Sequence, residues 1–252
     1  MTCSSASIEE AVTLSCVSNR VGGDLVGNAV WLGVPLRELL DEAGVQPAAT
    51  QIVGRSVDNW TGGFPTSHLD DPDVVAMVAV GMNGEPLPVI HGFPARLVIA
   101  GLYGYVSATK WVEEIHLTTL EDFNAYWITR GWSKLGPIKT QSRIDVPLPS
   151  KRRGLAPGVQ PVAGVAWAPG RSISKVEVQI DDGPWHEAEL PDELSENAWR
   201  QWVYDWDATP GNHTIAVRAT DGEGDTQTSE ITPVAPSGAT GWHTIRVDVD
   251  DV

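Results

Sequence analysis

The residues of this 252-residue chain best suited to chemistry are Cys16 and a cationic group that begins at His91. Cys16 lies in Leu14-Ser15-Cys16-Val17-Ser18-Asn19-Arg20, where an apolar stretch gives way to small and polar residues suited to a loop. The second group, His91-Gly92-Phe93-Pro94-Ala95-Arg96, gathers an imidazole, a glycine, a proline and a guanidinium, and Lys110 follows. Between them Gly101 and Gly104 let backbone N–H groups approach an anion, while Ser107 and Thr109 add hydroxyl donors around Ala108. One soft thiolate with a distant cationic cluster suits a metal carried by a phosphate-bearing cofactor. Each residue also has a plainer reading. Free cysteine is among the most buried residue types, and Asp58, in Ser56-Val57-Asp58-Asn59-Trp60, reads equally as a solvated turn residue.

The charge balance sharpens the point. A formal net charge of -16 argues against nucleic acid or an anionic membrane as the main partner, because both repel such a surface. An acidic protein that binds an anion needs a local cationic pocket, so clustered Arg, Lys and His stand out. A hydrophobic content of 42% supports a packed core. The two cysteines, Cys3 and Cys16, form no CxxC pair, and a disulfide between them would close only a short loop near a terminus. No apolar run is long enough to span a membrane, and residues 1–15 lack the pattern of a signal peptide. The expectation is a soluble chain, with any export signal or membrane anchor lying upstream.

The elements that must position these residues fall into two textures. Residues 1–30 read as a short helix or turn, a strand from Ala11 to Cys16 and a Gly-rich loop at Gly22-Gly23-Asp24. Leu32 to Gly44 reads as an amphipathic helix, with Pro35 in its first turn and Gly44 as its stop. Strands are expected at Thr50–Ser56, Val74–Met82, Leu97–Ile99 and Trp111–Leu117, so this half mixes helix and sheet. A Pro-rich, basic connector covers 146–154. Beyond it the pattern turns to short strands punctuated by Asp182-Gly183, Pro210-Gly211 and Asp221-Gly222. Those strands are Gly158–Trp167, Ile173–Asp181, Trp199–Asp207, His213–Thr220 and Trp242–Asp248. The predicted class is α+β, a mixed α/β domain at 1–144 followed by an all-β immunoglobulin-like sandwich at 145–252.

Taken together, the Cys16 segment with Asn19-Arg20, and His91 to Arg96 followed by Lys110-Trp111, resemble the sulfite oxidase family of molybdenum enzymes. The resemblance implies that Cys16 ligates the metal of a molybdenum-molybdopterin cofactor. It implies that Asp58, His91, Arg96, Ser107, Ala108, Thr109 and Lys110 hold the molybdopterin. It also places Arg20 and Trp132 at the catalytic centre, where oxygen-atom transfer would take place at an oxo-molybdenum centre, and Arg143 is added there as a candidate catalytic residue. A homodimer through the second domain, a small oxyanion or oxide substrate and an unidentified electron-transfer partner complete the expectation. Family members carry a long segment ahead of the metal cysteine, whereas fifteen residues precede it here, so the resemblance implies a missing front portion.

Departures from the family keep other readings open. Trp132 stands where sulfite-oxidising members have a tyrosine, Val21 replaces a second arginine, and Ala235-Pro236-Ser237-Gly238 offers no arginine from the second domain. Oxyanions need guanidinium donors in fork geometry, and Arg130, Lys139 and Arg143 are the candidates to replace the lost ones. One alternative is an S-oxide or N-oxide reductase on the same cofactor. Another is a cofactor-free assembly module that pairs through its sandwich, where Trp202, Tyr204 and Trp206 share one strand face.

Overall fold

The computed structural model describes residues 6–148 and 154–251, so Cys3 and residues 149–153 of the expected connector lie outside the described residues. These residues cluster as two units. One comprises 6–19, 25–138 and 234–238, and the other 20–24, 139–148, 154–233 and 239–251.

The first unit is built on two antiparallel sheets. Strands β1 (Ile8–Ser15) and β2 (Val26–Pro35) form a hairpin in which Ile8 pairs Gly33 and Ser15 pairs Val26. Helix α1 (Leu36–Ala43) follows, then β3 (Gln51–Ser56), β4 (Thr61–Pro65), β5 (Ala76–Met82), the short β6 (Glu85–Pro86) and β7 (Arg96–Ile99). The one-turn helix α2 (Gly104–Ser107) and β8 (Val112–Thr118) complete the unit. The larger sheet runs β1-β2-β5-β6 with β7 also on β5, and the smaller runs β4-β3-β8. Val12, Trp31, Met77, Ala79 and Val98 fill the core under the larger sheet, where the Trp31 indole donates to the Val12 carbonyl at 3.1 Å.

This unit is not the mixed α/β domain that the sequence suggested. Only α1, of eight residues, and α2, of four, are α-helical among its described residues, beside three single 3-10 turns. The expected helix from Leu32 begins only at Leu36, because residues 30–35 extend β2 and pair with β5 from Trp31↔Met82 to Pro35↔Met77. Pro35 ends β2 just before the helix, and the residue ahead of a proline is biased toward extended backbone, so Val34 stays in the strand. Leu36 and Leu40 carry the helix's buried face, and Gly44 stops it by donating to the Leu40 carbonyl at 2.9 Å. Strand β4 was hidden by Gly62-Gly63, which reads as a loop until β3 supplies its ladder.

The second unit holds a sheet β13-β10-β9 and a sheet β12-β11-β14-β15. Their strands are β9 (Gln141–Val146), β10 (Gly158–Trp167), β11 (Ile173–Ile180), β12 (Trp185–Glu187), β13 (Arg200–Ala208), β14 (Gly211–Asp221) and β15 (His243–Val249). Every ladder in both sheets is antiparallel. Val162, Val176, Trp202, Trp206, Ile215 and Val247 share one core, so the aromatic face of β13 is turned inward. The indole N–H groups of Trp167 and Trp202 have no partner among the described residues, a cost of about 1–3 kcal/mol each that burial of the rings offsets.

Two turns of this unit are tied by a titrating bridge. His213 Nδ1 lies 2.5 Å from Asp181 Oδ2, its Nε2 lies 2.7 Å from the Thr209 carbonyl, and Asp181 Oδ1 accepts the Thr214 N–H at 2.7 Å. Burial opposes the imidazolium, but the bonds to Asp181 and Thr209 outweigh it and hold the His213 pKa above 6.5. Burial likewise opposes the carboxylate, but Thr214 and His213 hold the Asp181 pKa below 3.8. The stability from His213 is therefore fully present below pH 6.5 and is lost as pH rises through the raised value, whereas that from Asp181 is lost only as pH falls through its lowered one. Thermal melts of wild type and His213→Gln should differ more at about pH 5.5 than at about pH 8.5. An equal difference at both values would show that the bridge contributes no pH-linked stability.

Candidate cofactor site

A cavity of about 420 Å³ opens in the first unit. Its wall includes Cys16, Asp58, Arg96, Ala108 and Lys110, five residues singled out from the sequence, together with Trp60, Tyr105, Trp111 and Trp127.

Cys16 is exposed immediately after β1 and has no disulfide partner among the described residues. The β1–β2 connection holds it from the backbone. The Cys16 N–H donates to the Leu25 carbonyl at 2.9 Å, the Asn19 N–H to the Cys16 carbonyl at 3.0 Å, and the Leu25 N–H to Asn19 Oδ1 at 3.0 Å. The thiol is thus presented to the cavity by a stitched loop, as a soft metal ligand requires.

Arg96 opens β7 and is only 6% exposed. Its guanidinium lies over the Trp31 ring at 4.8 Å and donates to the His91 carbonyl at 3.1 Å, and it makes no ion pair among the described residues. Burial alone pushes its pKa down to about 10. A buried guanidinium without a carboxylate is costly unless an anion faces it, and Arg96 lines the cavity. Lys110 adds a second cation, which donates to the Ile90 carbonyl at 3.1 Å and lies over the Trp111 ring at 4.5 Å. Gly92 lets the two approach. At φ +113°, a Cβ there would lie 3.1 Å from the Cβ atoms of both Arg96 and Lys110.

Asp58 closes the polar end. It accepts from the Ser56 hydroxyl and from the Trp60 N–H, and these bonds hold its pKa below 3.8, with Lys110 adding a smaller effect. Its carboxylate, an acceptor for N–H groups, shares the cavity wall with the rings of Trp60 and Trp111. Tyr105 is fixed differently. Its hydroxyl donates to the Ser133 carbonyl at 2.6 Å, its ring lies 6.1 Å from that of Trp132, and burial pushes its pKa up to about 12.

The remaining expected residues do not line this cavity. His91 is exposed and contributes its carbonyl to Arg96 in place of an imidazole. Buried Ser107 donates to the Leu102 and Tyr103 carbonyls, and buried Thr109 to the Gly54 carbonyl, so both hydroxyls serve the fold. Trp132 packs behind Tyr105. Arg130 lies over the Tyr126 ring at 3.5 Å and bonds the Tyr126 carbonyl. Arg20, Lys139 and Arg143 belong to the second unit. Arg20 is exposed, and Arg143 is committed to Asp145 at 2.6 Å and to the Gly23 carbonyl at 3.0 Å, which leaves no free fork for an oxyanion. The aromatic wall was missed because spacing does not reveal which faces of Trp60, Tyr105 and Trp127 meet. Trp111 carried one signal, its place directly after Lys110.

Comparison with known proteins gives the family. Residues 2–127 match the family model described as the oxidoreductase molybdopterin binding domain. The chain is 26% identical to mitochondrial sulfite oxidase of Rattus norvegicus, over 96% of this chain and 53% of that protein. It is 32% identical to mitochondrial sulfite oxidase of Drosophila melanogaster, over 72% of this chain and 37% of that protein. It therefore spans about half the length, or less, of these curated relatives. Among solved structures, the sulfane dehydrogenase SoxCD from Paracoccus pantotrophus shares the fold at a TM-score of 0.79 and 22% identity, covering 98% of this chain and 72% of that one.

Proposed function

The chain belongs to the oxidoreductase molybdopterin-binding domain family, and from that premise we propose that it works as a molybdenum oxidoreductase of sulfite oxidase type, with Cys16 as the metal's protein ligand. The observation that carries this reading is one cavity that holds both a free thiol and a buried guanidinium without a counter-ion among the described residues. The donor set fits the group: a soft sulfur for the metal, Arg96 and Lys110 for a phosphate, and Asp58 with Trp60 and Trp111 for a pterin ring.

When bound, the cofactor supplies the redox couple for oxygen-atom transfer, and the protein supplies binding and electrostatics. Arg96, already desolvated on Trp31, donates charge-assisted hydrogen bonds to the phosphate without a further burial cost. Lys110 neutralises the remaining charge from the other side of Gly92. Asp58, kept ionised by Ser56 and Trp60, accepts from ring N–H groups and fixes the ring's orientation. Tyr105 stays protonated and holds the 133–135 backbone, and Trp127 and Tyr105 narrow water's access to the thiol. His91 acts through its carbonyl, and Ser107 and Thr109 shape the backbone around Ala108.

The lining favours a second reading on the same cofactor, reduction of an S-oxide or N-oxide. Among the described residues Arg96 is the only guanidinium in the cavity wall, and with Arg96 and Lys110 turned to the phosphate the wall keeps no guanidinium fork for an oxyanion and is rich in aromatic rings. The proposal also includes domains at 1–144 and 145–252. Two antiparallel sheets around one core support an immunoglobulin-like second domain, and homodimerisation through it rests on the resemblance. No helix among the described residues is long and apolar enough to cross a membrane.

The test is metal content after production in a host that makes the cofactor, expected at about one molybdenum per chain. Less than about a tenth would overturn the reading. Parallel assays of sulfite oxidation and sulfoxide reduction with artificial electron carriers separate the two directions, and robust sulfite turnover would exclude the second.

A further inference from the structure

The loop that follows Cys16 is gripped in its middle by residues far along the chain. Segment 20–24 clusters with the second unit, although both of its flanks belong to the first. Arg143, on β9, donates from its guanidinium to the Gly23 carbonyl at 3.0 Å, while Asp145 holds the other edge of that guanidinium at 2.6 and 3.2 Å. Gly22, at φ +73°, lies flat against the His243 ring, and a methyl there would collide with Cδ2 and Nε2. The ring is itself anchored, because His243 Nδ1 accepts the Ile144 N–H at 2.9 Å. Burial lowers the imidazole pKa below 6.5, opposed by Asp145 and aided by Arg143, so Nδ1 stays free of a proton and able to accept.

From this clamp the loop leads back to the thiol in short steps. The Gly23 N–H donates to the Arg20 carbonyl at 2.8 Å and closes one turn. The neighbouring Leu25 meets Asn19 through its N–H at 3.0 Å and Cys16 through its carbonyl at 2.9 Å. Fixing Gly22 and Gly23 therefore fixes the strand end from which Cys16 projects.

We propose that Arg143 and His243 are positioning residues for Cys16, holding the 16–25 loop through Gly23 and Gly22. Neither is among the residues that line the cavity. Arg143 thereby acquires a role through the backbone in place of an oxyanion contact. The inference rests on Cys16 as the metal ligand for its functional meaning, but its geometry is independent of that reading.

The test measures the rate at which iodoacetamide alkylates Cys16 in the full, cofactor-free chain, in a Cys3→Ser background. Loosening a loop by one or two net hydrogen bonds should raise the rate about fivefold in Arg143→Met and in His243→Leu. His243→Asn, which keeps an acceptor near the Nδ1 position, should restore a rate close to wild type. Unchanged rates in the two folded variants would overturn the proposal, as would an equal rise in Arg246→Ala, an exposed residue of β15. Gly22→Ala strains the same loop without removing a buried partner, and it carries the test if either variant fails to fold. A rate there within about twofold of wild type would likewise overturn the proposal. Loss of the ligand reading has a different signature, because Cys16→Ser in the cofactor-loaded protein would then turn over near the wild-type rate whatever the alkylation rates show.

Discussion

Cys16→Ser should abolish redox turnover in the cofactor-loaded protein, by about a hundredfold or more, while leaving the melting temperature nearly unchanged. The structural side of this expectation follows from exposure. The Cys16 side chain is exposed, and the hydrogen bonds that fix the residue come from its backbone N–H and carbonyl, which serine keeps. Serine is also close to cysteine in size, so the loop between β1 and β2 loses no packing. The chemical side follows from ligand character, because a hard hydroxyl replaces a soft, strongly donating thiolate and shifts the metal's preferred oxidation state. Turnover per bound molybdenum and thermal melting of the same preparation check both parts. Cys3→Ser is the matched control and should leave each unchanged. Turnover near the wild-type rate in Cys16→Ser would remove the residue from the metal's coordination.

How much of this could be read in the sequence depended on whether function resided in a residue's type or in its direction. Cys16, Arg96, Lys110 and Asp58 were marked by type, as a lone thiol, two cations in an acidic chain and a carboxylate in a polar loop, and one cavity holds all four. His91 was marked by type too, but the Val89–His91 turn leaves its imidazole outside the cavity wall and gives its carbonyl to Arg96. Arg20 stands four residues after Cys16, yet the turn closed by Asn19 takes it out of that wall. Trp132 was placed by resemblance and Arg143 was a candidate to replace a lost arginine, and packing against Tyr105 and Asp145 decides what they touch.

The fold divides along a similar line. Strands of the second unit alternate buried and exposed residues and end at glycine turns, so β10 spans the range expected from its pattern, and β11, β13 and β15 lie within a residue of theirs. In the first unit β2 and β4 owe their existence to partners distant in sequence, Met77–Met82 for the one and Gln51–Arg55 for the other. Local propensity cannot report such pairing, and an amphipathic run after Leu32 looked helical until β5 claimed its first residues. That is why the first unit proved β-rich where helix and sheet were expected in alternation.

The second large effect concerns Arg96, and its sign is set by burial. A guanidinium whose pKa falls from 12.5 to about 10 costs the folded, cofactor-free chain roughly 3 kcal/mol in its charged form. Arg96→Ala removes that cost together with the stem's packing on Trp31, so the two partly cancel and the apo melting temperature should move little. The loaded protein has no such compensation. Two charge-assisted bonds to a phosphate, each about 1.5–3 kcal/mol when shielded from water, amount to a hundredfold or more in affinity. Molybdenum and pterin per folded chain should therefore collapse in Arg96→Ala and recover in part in Arg96→Lys, which keeps the charge but loses the fork. Arg37, although exposed on α1, is no control, because its guanidinium bonds the carbonyls of Leu69 and Asp71. Arg246, exposed on β15, is the proper one and should change neither measurement. If Arg96 served the fold alone, the pattern would invert. The apo melting temperature would then fall by several degrees, with cofactor per folded chain unchanged.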